Sequence, residues 1–309
     1  MSGSGECDGI LLIGFGGPTR HDQIRPFLDN VLRGRPVPPE RYDEVVRHYE
    51  MMGGRSPYNE LTMLQAGALR EMLERQGVRA PIAVGMRNWE PYLDQAMTTL
   101  GRAGAKRVLG FVLAAHRCEA SWERYQQNVR DAQQKLGEST PAVEYPEPWH
   151  AHPRFVAANV ARVRESLAGL SADERGRVHL IFTAHSIPVS MAAKSPYVEQ
   201  LTESSRLVAN VLGLSSWSLA FQSRSGSPRD PWLEPDIKTA LSKLHREAIA
   251  VVVPIGFLCD HVEVLYDLDV DAAALARDSG IRFVRAPTVG DHPEFIAMMA
   301  EVARAHLRG

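Results

Sequence analysis

The sequence predicts an α/β protein made of two similar half-chains, each with a four-stranded parallel sheet of the doubly wound kind flanked by helices. Three observations carry this. Short apolar runs alternate with helix-length stretches along the whole chain; four runs fall before about residue 150 and four after it; and a segment with three prolines, 146–153, stands between the two sets. Strand alternating with helix implies parallel pairing, because a parallel return needs a crossover, and the crossovers cover both faces of the sheet.

The predicted strands are Ile10–Phe15, Ile82–Val84, Val108–Leu113 and Val143–Tyr145, then Leu180–Thr183, Ser218–Phe221, Ile249–Ile255 and Ile281–Val284. The intervening helices are predicted over Asp22–Leu32, Leu61–Arg75, Tyr92–Gly101, Ser121–Leu136, Pro153–Leu167, Tyr197–Leu212, Glu234–Arg246 and Val262–Ala276. The prolines and polar residues of Pro146–Pro153 continue neither a strand nor a helix. They set the expected division at 1–150 and 151–309, with a last helix, Pro293–Arg308, free to pack on either half.

At 309 residues and 44% hydrophobic content the chain buries a sizeable core, and a net charge of −2 gives no general reason to expect nucleic acid or an acidic membrane as partner. Cys7, Cys118 and Cys259 are odd in number and widely spaced, so neither a disulfide framework nor a CxxC zinc site is expected. The first residues, 1–6, lack an export signal, and no apolar stretch approaches membrane-spanning length. The expectation is a soluble protein of the cytoplasm.

In open parallel sheets ligands bind at the carboxyl ends of the strands. Phe15-Gly16-Gly17-Pro18, Ala115-His116, Ala184-His185, Gln222-Ser223-Arg224 and the chain from Gly256 all follow strands directly, and a cleft between two facing halves is expected to collect them. His185 is the natural base, since imidazole takes up a proton near neutral pH. The segment from Asp260 to Asp271 holds five carboxylates, one histidine and no lysine or arginine. Carboxylates without cations suit a metal ion. Glu263, Asp267 and Asp271 stand at i, i+4 and i+8, along one helical stripe. Helix capping accounts for Asp260 and Glu263, where acids complement the N-terminal dipole, but leaves Asp267 and Asp271 unexplained. Hard cations prefer oxygen, and Fe²⁺ also accepts imidazole, so this line suits stepwise passage of a divalent ion toward a histidine, with Glu263 and that imidazole expected to meet at the gap between the halves.

Other features are less specific. The Phe15-Gly16-Gly17-Pro18 turn lacks G-x-G-x-x-G, and its glycines suit close approach to a flat ligand as well as a tight turn. Trp232 ends a loop carrying Arg224 and Arg229, and Arg33 with Arg35 forms a second basic point. Arginines suit carboxylate recognition.

At these residues the chain resembles the ferrochelatases, enzymes that insert Fe²⁺ into a porphyrin in haem synthesis. The resemblance spans almost the whole chain. It is carried by Thr183-Ala184-His185-Ser186-Ile187-Pro188 and by Gly256-Phe257 with Asp260-His261-Val262-Glu263-Val264-Leu265-Tyr266-Asp267. Phe15–Pro18, Gly53–Pro57, Asn88–Tyr92, Gln222–Gly226 and Pro231–Asp236 support it. It implies a chelatase-like fold, His185 and Glu263 as the catalytic and metal-site pair, and Asp267 and Asp271 as an acidic line on a helix with a π-type distortion. Phe15, Ser56, Tyr125 and Trp232 fall at porphyrin-binding positions. Phe15 stands where some bacterial members carry a tyrosine, which removes an oxygen ligand on that face.

Fe²⁺ and the porphyrin enter this reading as substrates, with no permanently bound cofactor. Three scattered cysteines cannot supply the four that a [2Fe–2S] cluster takes, so no cluster is expected. A monomer is expected, and the short form with its Phe15 turn favours coproporphyrin III over protoporphyrin IX. The competing readings are a cobalt or nickel chelatase acting on a sirohydrochlorin-type ring and a non-catalytic porphyrin or haem carrier, which would be expected to lose His185 or Glu263.

Overall fold

Each of the eight apolar runs is a strand in the computed structural model, which describes residues 6–137, 140–226 and 230–307. The strands are β1 (Gly9–Gly14), β2 (Ile82–Met86), β3 (Arg107–Val112), β4 (Ala142–Glu144), β5 (Val178–His185), β6 (Trp217–Gln222), β7 (Ile249–Val253) and β8 (Arg282–Arg285). They form two four-stranded sheets, ordered β2-β1-β3-β4 and β6-β5-β7-β8, with every pairing parallel. Strands inside a sheet covered on both faces read as unbroken apolar runs. β1 and β7 are accordingly buried at every position, while the edge strands β4 and β8 are not.

The chain forms two units. The first comprises the residues up to Leu113, Ala120–Glu147 and the chain from Phe295; the second comprises Ala114–Glu119 and Pro148–Glu294. Arg229, Arg308 and the first five residues lie outside the described residues.

Two helical segments differ most from expectation. Pro39–Met51 is a helix that apolar periodicity does not announce: only Val46 and Tyr49 are buried, and the helix starts with proline in its first turn, where the missing N–H costs nothing. The stretch Glu234–Arg246 shortens to Ile237–Ser242, capped by the Asp236 carboxylate, which accepts from the Lys238 N–H at 2.9 Å and the Thr239 N–H at 3.3 Å. Val262–Ala276 carries the π-type distortion that the resemblance implies. It runs as α over Val262–Val264, π over Leu265–Ala272 and α again over Ala273–Asp278.

In the second sheet the chain passes from β5 to β6 on one side and then crosses to β7 on the other. That reversal is the topological switch point where open sheets place ligands. The chain leaving β7 runs close past the end of β5: the Gly256 N–H donates to the Thr183 carbonyl at 3.0 Å, and a Cβ at Gly256 would stand 2.5 Å from the Ala184 Cβ. Only glycine permits that approach.

Candidate active site at the ends of β5 and β7

His185 is the last residue of β5, and the local sequence fixes it from several sides. The Tyr197 hydroxyl donates to the His185 carbonyl at 3.0 Å, the Ser186 N–H donates to the Gln222 carbonyl at 2.7 Å, and the Ser186 hydroxyl donates to the Leu233 carbonyl at 3.0 Å. The ring itself has Nδ1 2.6 Å from the Ser186 carbonyl oxygen. A carbonyl can only accept, so Nδ1 carries the hydrogen and the neutral ring keeps its lone pair on Nε2. That nitrogen faces Glu263, whose Oε2 lies 3.9 Å away, and both side chains remain partly open to solvent. His185 and Glu263 both belong to the second unit. The expectation that they meet across a gap between halves is corrected: one sheet, by strand end and following helix, makes the pair.

The helix after Gly256 lays the acids out. Val264, Leu268, Ala272 and Ala276 are each fully buried in the core cluster that also holds Ile181, Ala250 and Val252 of the second sheet. Their four-residue period anchors the helix to the sheet. In an α-helix a step of four overshoots a full turn by about 40° and a stripe drifts. The i→i+5 bonding of a π-helix widens the turn to about 4.4 residues, so there a step of four falls short by about 33°, and the opposite drifts of the α and π turns offset one another along the segment. Glu263, Asp267 and Asp271, each one residue ahead of an anchor, share that register.

Asp267 is the most enclosed of the three. Burial pushes its carboxyl up to about 6, against the hydrogen bond from Ser223, with the charges of Glu263 and Asp271 adding to the rise and His185 opposing it. The Ser223 hydroxyl donates to its Oδ2 at 2.5 Å. Ser223 reaches that position from a backbone φ of 60°, an uncommon left-handed setting for a residue other than glycine. His261, the histidine within the acidic segment, packs edge-on against Phe257 with ring centroids 5.1 Å apart, and burial holds it below the ordinary imidazole value.

Two cations absent from the acidic segment reach it from elsewhere. Arg285, the last residue of β8, grips both oxygens of Asp260 at 3.2 Å and Asp269 at 2.6 Å. The Lys238 ammonium sits 2.8 Å from Asp271. The five acids are thereby sorted: Asp260, Asp269 and Asp271 face cations, whereas Glu263 faces His185 and Asp267 faces Ser223. Among the described residues no group of three His, Cys, Asp or Glu side chains is arranged to hold one ion. Ser223 lies inside a segment that the sequence marks, yet sequence reasoning gives no role to it, to Lys238 or to Arg285. Nothing in spacing ties a lysine near residue 238 or an arginine near 285 to acids on another helix.

The remaining expected residues divide between the two units. In the first unit Phe15 is 36% exposed, and the Arg87 guanidinium lies 5.8 Å from its ring centroid and 5.0 Å from that of Tyr125. Burial lowers the Arg87 pKa from its ordinary value, with Arg33 and Arg124 adding like charge and Tyr125 opposing. Tyr125 itself is buried, and so is Ser56, at 5% exposure. Its Cβ fills the space a side chain at Gly17 would need, and Gly16 at φ +89° is closed off by Trp89 and Met86. Those glycines serve the packing of their own turn; they do not open a face to a flat ligand. In the second unit Trp232 bridges to Pro188, packs its ring against Gly226 and lies 5.8 Å from the Arg224 guanidinium. A cavity of about 700 Å³ adjoins it, lined by Val189, Arg224, Asp230 and Pro231 to Glu234, with neither His185 nor Glu263 in its wall. His116 is a core histidine, 2% exposed, pushed down to about 3 by burial and 3.0 Å from the Ser204 hydroxyl.

The Ferrochelatase family model matches residues 7–307. A ferrochelatase of Rhodopirellula baltica is 41% identical over 97% of this chain and 86% of its own length. Coproporphyrin III ferrochelatases of Streptomyces griseus and Nocardia farcinica are 40% and 38% identical, covering 96% and 98% of this chain and 84% and 89% of theirs. Among solved structures, the cobalt complex of the sirohydrochlorin chelatase SirB from Bacillus subtilis subspecies spizizenii superposes with a TM-score of 0.58 at 13% identity, covering 96% of this chain and 94% of that one. That likeness is one of fold.

Proposed function

Because this chain belongs to the ferrochelatase family, whose members insert Fe²⁺ into a porphyrin, we propose that its substrate is coproporphyrin III and that His185 and Glu263 carry the proton transfer. The single observation behind the chemical assignment is the ring geometry of His185, with Nδ1 committed to the Ser186 carbonyl and Nε2 directed at Glu263. The relatives named coproporphyrin III ferrochelatases, 36–40% identical over nearly the whole chain, support the choice of porphyrin.

Insertion exchanges two pyrrole protons for one dication, so a base and a route for positive charge are needed together. His185 Nε2 accepts a proton from the ring nitrogen. The imidazolium that forms faces the Glu263 carboxylate, which stabilises it and offers the proton an onward acceptor. Asp267, with its carboxyl near 6, gains and loses protons close to neutrality, which an ordinary exposed carboxylate does not. The line Glu263, Asp267, Asp271 serves the same cation and proton traffic. A two-donor pair, His185 and Glu263, leaves an ion open to the four ring nitrogens that must take it. A pocket favouring a bent macrocycle favours the transition state over the flat substrate.

Phe15, Tyr125, Arg87 and Trp232 are assigned to porphyrin binding. Arg87 lies beside two rings, and its buried Nε–H donates to no protein acceptor among the described residues, an arrangement suited to a propionate. Ser56 contributes by shaping the Gly17 turn. No iron–sulfur cluster is needed, and three buried cysteines outside any disulfide are in keeping with a reducing, cytoplasmic setting. Among the described residues no helix is long and apolar enough to cross a membrane. A passive haem carrier needs no base aligned on an acid line, which is why insertion is preferred. Anaerobic Fe²⁺ insertion assayed in parallel with coproporphyrin III and protoporphyrin IX should give the higher kcat/KM with coproporphyrin III. Preference for protoporphyrin IX would overturn the substrate assignment.

A further inference from the structure

The far end of the acid line from His185 is already occupied by a cation belonging to the protein. Lys238 is the second residue of the short helix Ile237–Ser242, where the Asp236 cap fixes its backbone, and its ammonium lies 2.8 Å from Asp271 Oδ2. Asp236 and Asp267 are the other charges that act on it. The pair is half open to water, with the lysine side chain 51% exposed and the aspartate 34%. Exposed ion pairs are weak and readily exchanged. A buried pair would lock Asp271; this one can be displaced.

We propose that Lys238 is a positioning residue for metal delivery, an internal counter-ion that holds Asp271 and must be displaced before a divalent cation, or a proton, uses that carboxylate. Lys238 touches neither porphyrin nor the reacting nitrogens and acts only through Asp271. Two consequences follow from its charge and its short tether. It blocks weakly held divalent ions from resting at the end of the line, so only an ion able to displace an ammonium moves inward. It also returns to Asp271 once the ion has passed, restoring the resting charge of the segment without solvent ions. The inference rests on the reading of Glu263, Asp267 and Asp271 as a cation route.

Steady-state Fe²⁺ insertion under anaerobic conditions, with metal concentration varied at saturating porphyrin, tests it in the Lys238→Gln, Lys238→Arg, Asp271→Asn and Lys238→Gln/Asp271→Asn variants. Lys238→Gln should lower the metal KM by about two- to fivefold, the size expected for release from an exposed pair, with kcat moving less. Lys238→Arg should restore the parental KM. The dependence of KM on salt should flatten in Lys238→Gln, and the substitution should have no effect on KM in the Asp271→Asn background. A Lys238→Gln metal KM that is unchanged or raised, while Asp271→Asn raises it, overturns the role of Lys238 and leaves the cation route standing. An Asp271→Asn metal KM equal to that of the parent overturns the route itself. A purely structural lysine would shift thermal stability in Lys238→Gln without this split between KM and kcat or the arginine rescue.

Discussion

The two halves share a sheet topology and differ in what they place at the strand ends. In the first, the turn after β1 presents Phe15 and the residue after β2 a guanidinium beside aromatic rings; in the second, the end of β5 presents an imidazole and the helix after β7 an acid line. Equal strand order therefore does not mean equal chemistry. The scaffold provides positions, and in the proposed function the residues just past the strands divide between gripping a substrate and moving protons. The contrast is sharpest in charge. Arg87 faces rings and like charges, whereas Glu263 faces an imidazole and Asp267 a hydroxyl.

The comparison breaks first if chemistry survives loss of the second unit's base. His185→Ala should reduce turnover by about 10²–10⁴-fold, the range of a positioned general base, while porphyrin affinity, followed by fluorescence quenching, changes little. Glu263→Gln keeps shape and removes charge, so a smaller loss of kcat is expected, about 10–100-fold, with the imidazolium no longer facing a carboxylate. Turnover near the parental rate in His185→Ala would mean that this end of the sheet is only a packed strand terminus.

A second test lies in the first unit. Arg87→Met retains the apolar stem between Phe15 and Tyr125 and removes the cation. It should raise the porphyrin KM by about tenfold, as loss of a charged hydrogen bond does, with a far smaller effect on the metal KM and on the melting temperature. A variant whose metal KM rises instead would move Arg87 out of the gripping set and blur the division of labour between the halves.

What the sequence reveals follows the same division. All eight strands are legible because a parallel sheet covered on both faces demands continuous apolar runs, which Ile10–Ile13 and Ile249–Val253 provide. The histidine and acids are legible because chemistry at strand ends needs those side chain types. The π segment leaves a fainter trace: Val264, Leu268, Ala272 and Ala276 keep a strict four-residue period, which a straight α-helix would not hold in line, yet period alone reads as an amphipathic helix. Lys238 and Arg285 leave no trace, since an ion pair between distant segments depends on where the backbone carries them. Ser56, Gly16 and Gly17 mislead in the opposite sense: their types suit a ligand surface, and the fold spends them on packing a turn.

The smallest expected effect concerns stability and isolates Asp267. Burial raises its carboxyl to about 6, above the ~3.9 of an aspartate in an unfolded chain. Below about pH 4 both states hold the proton and the group costs nothing. As pH rises the unfolded chain releases its proton first, so stability falls until the folded group titrates near 6 and is level thereafter. Asp267→Asn cannot ionise and still accepts from the Ser223 hydroxyl. Its stability relative to the parent should therefore grow from near zero at about pH 4 to on the order of 1–2 kcal/mol at about pH 7.5, read from urea midpoints at each pH. A difference independent of pH would show that Asp267 ionises as an ordinary carboxylate and has no part in proton traffic near neutrality; the second unit would then rest on His185 and Glu263 alone.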